Sequence, residues 1–439
     1  MQRLGKMSDK PSNPYEEWLV SDNNLCIPVL DRSQLGAIFA LLDLEVSEGP
    51  RGKLSESVER PKLNLDLEHL QVADYGRFGG VTEDIRAHIA KLNSAHPISS
   101  DELYYIALQS LIGLTYPVPN SNEDLLLACD YEAALHSILL KVASDLSERL
   151  RDVNAHLPYW GRLAFLRVMT DIPHDALRRS GIEHIAVTLI KRPAFNATSF
   201  VWNSTALVGL NYALEPILKH LNRFLLSYFH TQQMAGPRRM ERAFKASLPI
   251  IFHFWGNVSL DKMHSLNLIF DQNEHIRAHR LTADQVDFIV AHELIHIGSN
   301  HGRRLKERCL AGDDAVVARH EFEFSADVLA VNNIRAIYAD FKEKYEAVIL
   351  LFLYMSFVEK AGAWLRERLG GEIKFREQSG THPSSAERLL RIRAAFDVDD
   401  SYKTEVIAFA EKFFSDILDY ADGLADDEIR SVIQSAIKV

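Results

Sequence analysis

Apolar residues recur at two different spacings along the chain, and the spacing changes near residue 182. From about 81 to 180 they recur at helical spacing, as in YYIALQSLIGL and YEAALHSILLKVASDLSERL, which predicts a mainly helical segment. The following runs IAVTLI and TSFVWNSTALVGL are rich in β-branched and aromatic residues and predict a small sheet. Further helical patterns occur at about 213–232, 283–299, 315–337, 341–368, 384–396 and 402–419. The predicted fold class is therefore α+β, mainly helical.

Local composition divides the chain into three segments. Residues 1 to about 20, and again about 45 to 62, are rich in Ser, Pro, Gly and charged residues, as tails and linkers are. We therefore predict a partly disordered tail and linker over 1–62, a helical N-terminal domain over 63–180 and a second domain over 181–439.

The charge balance excludes one class of partner. The net charge is −11, which opposes general attraction to phosphate backbones, so we expect no nucleic acid partner. The short basic stretches Arg238-Arg239 and Arg303-Arg304-Leu305-Lys306 are expected to be solvated surface.

Cysteine usage and apolar runs indicate the compartment. The three cysteines are far apart and lack Cys-x-x-Cys spacing, which predicts neither a disulfide framework nor a thiolate zinc site. The first residues lack the apolar core of a secretory signal, and no apolar run reaches the roughly 18 to 20 residues of a membrane span. The nearest run, Ala347 to Phe357, predicts a buried helix instead. We expect a cytoplasmic protein without spanning segments.

The segment LTADQVDFIVAHELIHIG predicts a single helix. Thr282 is a candidate N-cap, Gln285 would complete a capping box and Gly298 is a candidate stop. The side chains around its polar motif are apolar, so the helix is expected to be buried.

That helix carries an HExxH motif. His292 and His296 are four residues apart, so they lie about one turn, roughly 6 Å, apart on one face, where both imidazoles can reach one ion. Glu293 lies beside them at the position that this motif reserves for a general base. A buried His-Glu-His cluster needs partners or a metal, which an ordinary polar helix face does not explain.

A catalytic zinc site usually has three protein ligands, so a third must be found. The metzincin pattern requires a glycine three residues and a histidine six residues after the second motif histidine. Here Gly298 comes two residues after and His301 five residues after, so that pattern is excluded.

The gluzincin pattern instead takes its third ligand from a glutamate on a following helix. Glu323 lies 27 residues after His296 within the helical pattern HEFEFSADVLAVNNI, and Asp327 lies one turn beyond it, where it can accept a hydrogen bond from a ligand histidine. His320 and Glu321 remain alternative ligands, although each taken alone is expected at the surface.

Three ordered pieces resemble the zinc peptidase family that includes the CAAX prenyl protease and the heat-shock membrane protease. They are HELIH at 292–296, ExxAD at 323–327 and THPSSAERL at 381–389. The resemblance implies a gluzincin-type, zincin-like metallopeptidase domain over 181–439, with Glu323 as third ligand and Asp327 as its outer support. It also implies that His382 or Arg388 orients the site or stabilises the oxyanion, although His382-Pro383 also fits a helix-start turn.

A looser similarity covers 193–214, which resembles the strand and turn that border the substrate cleft in that family. The chain lacks that family's spanning segments, so a soluble relative is implied. In general plan it is similar to the phage-exclusion peptidases, soluble bacterial HExxH proteins that cleave a host translation factor.

We therefore predict a zinc metalloendopeptidase, a hydrolase with one Zn²⁺ per chain that cleaves a protein or peptide substrate by metal-activated water. The predicted ligands are His292, His296 and Glu323, and the predicted catalytic residues are Glu293, His382 and Arg388. Two alternatives stay open: a signal-regulated protease of a stress or phage-defence system, and an inactive zincin-fold binding or scaffold protein. The intact Glu293 argues against the scaffold. The sequence does not indicate the oligomeric state.

Overall fold

The computed structural model describes the following parts of the chain: 32–48, 60, 62–63, 94, 99–111, 116–117, 122–146, 177, 180–190, 195–202, 204–211, 213–231, 238–255, 272–337, 341–370, 382–397 and 400–437. Most of the predicted tail and linker, and much of the predicted helical segment 81–180, lie outside these residues. The described part is mainly helical with a small sheet, which confirms that element of the predicted fold class.

The chain divides into two compact units. The first comprises Met1–Ile190 and Phe200–Val208, and the second comprises Lys191–Ser199 and Gly209–Val439. The domain boundaries expected from composition stay a prediction.

Three described helices of the first unit share a small core. They are α1 (Arg32–Glu48), α2 (Ser100–Leu111) and α3 (Asn122–Asp145), and both α1 and α2 pack on α3. Fully buried side chains such as Leu42, Leu108 and Leu135 form the contact. Removing this apolar surface from water stabilises the helices far more than their local propensities do.

Four strands among the described residues form one sheet. They are β1 (Tyr116–Pro117), β2 (His184–Ile190), β3 (Ala197–Trp202) and β4 (Thr205–Asn211), in the order β1-β2-β4-β3. β1 runs antiparallel to β2, with Tyr116 opposite Ile185. β4 lies inside the sheet and Ala206, Val208 and Leu210 are buried, whereas the outermost described strand, β3, exposes Val201. The strands predicted from IAVTLI and TSFVWNSTALVGL are confirmed, and β3 is an edge strand of the described sheet.

Nine described helices belong to the second unit. They are α4 (Leu214–His230), α5 (Arg239–Phe254), α6 (Gln272–Gly298), α7 (His301–Leu310), α8 (Ala315–Ile337), α9 (Phe341–Leu369), α10 (Ser385–Phe396), α11 (Glu405–Asp422) and α12 (Asp426–Ile437). The six helices predicted from apolar spacing correspond to α4, α6, α8, α9, α10 and α11. The pattern missed α5, which contains Pro249, the strongly charged α7, and α12.

α9 is the core helix of this unit. Among the described helices it is the one that is long and apolar enough to cross a membrane by length and composition, and 67% of its most apolar window is buried inside the protein. Its neighbours include α6, α10 and α11. The interpretation of Ala347 to Phe357 as part of a buried helix is therefore confirmed.

α6 begins about three turns before the predicted start near residue 283. The helix runs from Gln272, so Thr282 lies in its interior and its hydroxyl donates to the carbonyl of Ala278 at 2.8 Å. The predicted capping box of Thr282 and Gln285 is therefore wrong. A threonine and a glutamine at capping spacing predict a helix start, but the same two residues also occur on a buried face inside a helix. The sequence alone does not distinguish these two positions. The predicted stop at Gly298 is confirmed.

A buried hydrogen-bond network holds α6 between α4 and α9. The amide nitrogen of Asn222 donates to Thr282 Oγ1 at 3.0 Å and to Gln285 Oε1 at 2.9 Å. The hydroxyl of Tyr354 donates to Asn222 Oδ1 at 2.9 Å. All four side chains are almost fully buried, so each bond is protected from water and fixes the position of α6 about its own axis.

Candidate metal centre

Three side chains from two helices converge on one point. His292 and His296 lie on α6, and Glu323 lies on α8, which packs directly against α6. One ligand atom from each lies within 4.8 Å of the others. The two Nε2 atoms are 3.0 Å apart, and the Glu323 carboxylate oxygens lie 3.4 Å from His292 Nε2 and 3.7 Å from His296 Nε2. Two imidazole nitrogens and a carboxylate are therefore close enough together to be able to hold a single ion.

A second set of contacts supports these groups from behind. His292 Nδ1 lies 2.9 Å from Asp327 Oδ1. The guanidinium of Arg388 on α10 forms a two-point contact with the same carboxylate, from Nε to Oδ2 at 2.8 Å and from Nη2 to Oδ1 at 2.6 Å. Arg388 also lies over the ring of Phe352 at 4.9 Å, and Asp327 is completely buried. The carboxylate is thus held by Arg388 on one side and faces the histidine on the other.

The electrostatics of the cluster favour a bound cation. Burial alone would lower the pKa of His292, but its contacts with Asp327 and Glu323 outweigh burial and raise the pKa to about 9. Burial would raise the pKa of Glu323 and of Asp327, yet His292 and His382 around the first, and Arg388 beside the second, hold both pKa values below their usual range. The two buried carboxylates of Glu323 and Asp327 face one permanent cation, the guanidinium of Arg388, which leaves one negative charge unbalanced. A proton on His292, or a metal ion between the three ligands, would balance the remaining charge.

Glu293 lies next to the ligands but is engaged elsewhere. It is partly buried on α6, and the hydroxyl of Ser199 on β3 donates a hydrogen bond to its carboxylate. Burial raises the pKa of Glu293, and the neighbouring His292 and the Ser199 hydroxyl offset only part of that rise. A carboxylate whose pKa is raised, next to side chains that could hold a metal ion, is a candidate general base.

His382 lies at the exposed side of the cluster. Its Nδ1 is 3.1 Å from Glu323 Oε1, and 56% of its side chain is exposed. Two residues later Ser384 caps α10, and with Glu387 it forms a complete capping box. The helix-start turn and the contact with the predicted ligand therefore coexist in this segment.

Comparison with known families adds one finding. Residues 261–408 match the family model of Peptidase U49. The match covers about a third of the chain and supports a peptidase function. No curated protein and no solved structure matches the chain.

The matched segment contains every site residue predicted from the sequence. It runs from before α6 into α11 and so includes both helices that carry the converging side chains. The narrower resemblance to the CAAX prenyl protease family is not tested by this match.

The two alternative ligands lie apart from the cluster. Glu321 is exposed and pairs with Arg308 on α7. His320 is partly buried, and neither residue belongs to the one group of three metal-ligating side chains found among the described residues. The structure thus brings Glu323, rather than His320 or Glu321, to the two histidines.

Two residues that the structure places at the site have no individual role in the sequence-based prediction. Ser199 contacts Glu293, as described above. His301, rejected as a ligand on its spacing, directs its Nδ1 to the outer nitrogen of His296 at 2.9 Å. Burial, with the nearby Arg304, lowers the pKa of His301 to about 4. A histidine close after the motif was the available signal, but spacing could not show which side of His296 it would reach.

Proposed function

We propose that the chain is a zinc-dependent endopeptidase of the gluzincin type. The observation that carries this proposal is the convergence of His292, His296 and Glu323 within 4.8 Å, with Glu293 adjacent on the same helix. The Peptidase U49 match supports the peptidase part of the proposal independently of this geometry.

The donor set fits zinc. Two imidazole nitrogens and one carboxylate form a common catalytic zinc set, which leaves a fourth position for water or substrate. His292, His296 and Glu323 would hold the ion, and the buried negative charge around His292 favours a divalent cation there. When bound, zinc would act as a Lewis acid that lowers the pKa of a coordinated water toward about 7 and polarises the substrate carbonyl.

Glu293 would move the proton. Its carboxylate takes a proton from the attacking water and then passes that proton to the leaving nitrogen of the peptide. The hydrogen bond from Ser199 keeps the carboxylate in one orientation. Its raised pKa brings the two tasks of accepting and donating a proton closer in energy.

The surrounding residues would position the reacting groups. Arg388 is bound to Asp327 and supports His292 through it, so we assign Arg388 a positioning role rather than direct contact with the oxyanion. His382 is exposed beside Glu323, and we propose that it donates to the developing oxyanion.

An extended peptide is the proposed substrate. β3 is the edge strand of the described sheet, and it carries Ser199, which contacts the base. A substrate strand that pairs with this edge would use main-chain hydrogen bonds and would present its peptide bonds beside Glu293. Such pairing does not require particular side chains in the substrate, since backbone groups supply most of the contact.

The decisive experiment separates catalysis from metal binding. We expect about one zinc per purified chain, and we expect Glu293→Gln to keep that zinc while peptide cleavage falls by roughly 10²- to 10⁴-fold, because the amide cannot accept the proton. The substrate is found by comparing new protein N-termini in cells that express the wild type or Glu293→Gln.

Glu321→Gln is the matched control, since it makes the same chemical change on an exposed carboxylate outside the cluster. It should leave both zinc content and cleavage unchanged. Normal cleavage by Glu293→Gln would contradict the proposed mechanism, and a wild-type chain that holds zinc but generates no new N-termini would favour a binding protein.

A further inference from the structure

Each metal-binding histidine has an outer nitrogen that must also be satisfied. A neutral imidazole has one N–H group and one lone pair. If Nε2 gives its lone pair to a metal, the proton must sit on Nδ1 and needs an acceptor there. Residues that supply this acceptor fix the tautomer and the ring orientation of the ligand.

The two histidines of this cluster have different outer partners. For His292 the partner is the carboxylate of Asp327, which only accepts hydrogen bonds when ionised. For His296 the atom nearest Nδ1 is Nδ1 of His301, at 2.9 Å. The contact lies on the side of the His296 ring away from His292, because the Nε2 atom of His296 is the one that faces His292.

The turn after α6 places His301 in this position. Asn300 adopts a left-handed conformation with φ 53°, which ends α6 and starts α7 in a new direction. Asparagine tolerates this conformation better than most residues with a side chain. His301 is the first residue of α7, is 4% exposed, and stacks on Phe322 of α8 with ring centroids 4.6 Å apart. Its ring therefore contacts Phe322 on one face and His296 through Nδ1.

We propose that His301 is a positioning residue for the metal centre: its Nδ1 accepts a hydrogen bond from Nδ1–H of His296 and so directs the Nε2 lone pair of His296 toward the ion. This inference rests on the proposed function, since it assumes that His296 is a ligand. It requires that the single ring proton of His301 sits on Nε2. The 2.9 Å approach of the two Nδ1 atoms and the stacking of His301 on Phe322 support this arrangement.

Two substitutions separate the effect of the hydrogen-bond acceptor of His301 from the effect of its ring packing. His301→Phe keeps an aromatic ring against Phe322 but removes the acceptor. His301→Asn loses the stack but places an amide oxygen close to the position of Nδ1. The control is His279→Phe, because His279 makes a similar imidazole contact with His275, at 3.0 Å, outside the cluster.

The measurements are made on the full chain with Zn²⁺ and Co²⁺ as probes. Zn²⁺ affinity by chelator competition should fall about 10- to 100-fold in His301→Phe, the range found when an outer partner of a ligand is lost. His301→Asn should recover most of that loss, and His279→Phe should match the wild type. The visible absorption of bound Co²⁺, which reports ligand geometry, should change in His301→Phe and return toward the wild-type spectrum in His301→Asn.

The outcomes distinguish this inference from the proposed function. A wild-type chain that binds no Zn²⁺ would refute the proposed function itself. A wild-type chain that binds Zn²⁺, together with unchanged affinity in His301→Phe, would overturn the role of His301 alone. Equal losses in His301→Phe and His301→Asn would overturn it too, because they would assign the effect to packing. If circular dichroism shows that His301→Phe is unfolded, His301→Leu takes its place as the variant without an acceptor.

Discussion

The contact between Arg388 and Asp327 gives a sharp test of how the centre is supported. Arg388→Met removes the guanidinium but keeps a long apolar side chain over Phe352. The change breaks two hydrogen bonds, at 2.8 and 2.6 Å, to a carboxylate that is completely buried. Asp327 would keep only its contact with His292 and would remain out of reach of water.

The expected cost follows from burial. Removing one partner of a buried ion pair costs about 3–5 kcal/mol, because the remaining charge is left uncompensated. Arg393 offers a matched control on the same helix: it pairs with Glu411, both side chains are more than a quarter exposed, and Lys403 also contacts Glu411. Arg393→Met should therefore cost about 0–1 kcal/mol, as exposed pairs do.

The first assay is equilibrium urea unfolding of both variants in the presence of a chelator. The second measures the Zn²⁺ affinity of both variants in the absence of that chelator. Arg388→Met should lower the free energy of unfolding by clearly more than Arg393→Met. It should also weaken Zn²⁺ binding about 10- to 100-fold, because Asp327 no longer orients His292. Equal stability of the two variants would refute the argument from burial, and an unchanged Zn²⁺ affinity would refute the positioning role of Arg388.

Two further predictions follow from the site and from the packing of α9. Glu323→Gln should weaken Zn²⁺ binding by more than the roughly 10- to 100-fold loss expected for an outer contact, whereas Glu321→Gln should leave Zn²⁺ affinity unchanged. Chelator competition measures both affinities. A larger loss in Glu321→Gln than in Glu323→Gln would contradict the ligand assignment. Gly362→Ala should lower the free energy of unfolding by about 1–3 kcal/mol, because its Cβ would lie 2.0 Å from Nε1 of the buried Trp255. The control Gly302→Ala has nothing within 4 Å and should be neutral or stabilising in the same urea assay, so equal effects would contradict the packing argument.

The spacing within one helix could be predicted from the sequence because helix geometry alone determines it. His292 and His296 lie four residues apart, and the structure places their Nε2 atoms 3.0 Å from each other. Helix geometry predicts the shared face and the roughly 6 Å separation along it, whereas the 3.0 Å approach of the two Nε2 atoms also depends on the side-chain rotamers. The position of Glu323 depends instead on how α8 packs against α6, and the sequence indicated it mainly through the resemblance to known zinc peptidases.

The main errors arose where polar residues are buried. Thr282 and Gln285 stand at the spacing of a capping box, yet both lie inside α6 and bind the buried amide of Asn222. A hydroxyl or amide side chain can bond to the free backbone N–H groups at a helix start or to a side chain from another helix. Both cases have the same residue types at the same spacing in the sequence. Only the presence of Asn222 on α4, 60 residues earlier in the chain, distinguishes the two cases.

The same reasoning explains why His301 was passed over. Its spacing was compared with that of a third metal ligand, and it lies one residue too early for that role. That spacing indicates only whether the ring can reach the ion, although a ligand histidine also needs a partner at its outer nitrogen. In this chain Asn300 adopts a left-handed conformation between α6 and α7, and the ring of His301 meets Nδ1 of His296 rather than Nε2, which faces His292. A histidine that follows an HExxH motif at an unusual spacing should therefore be examined as a support for the second ligand before it is dismissed.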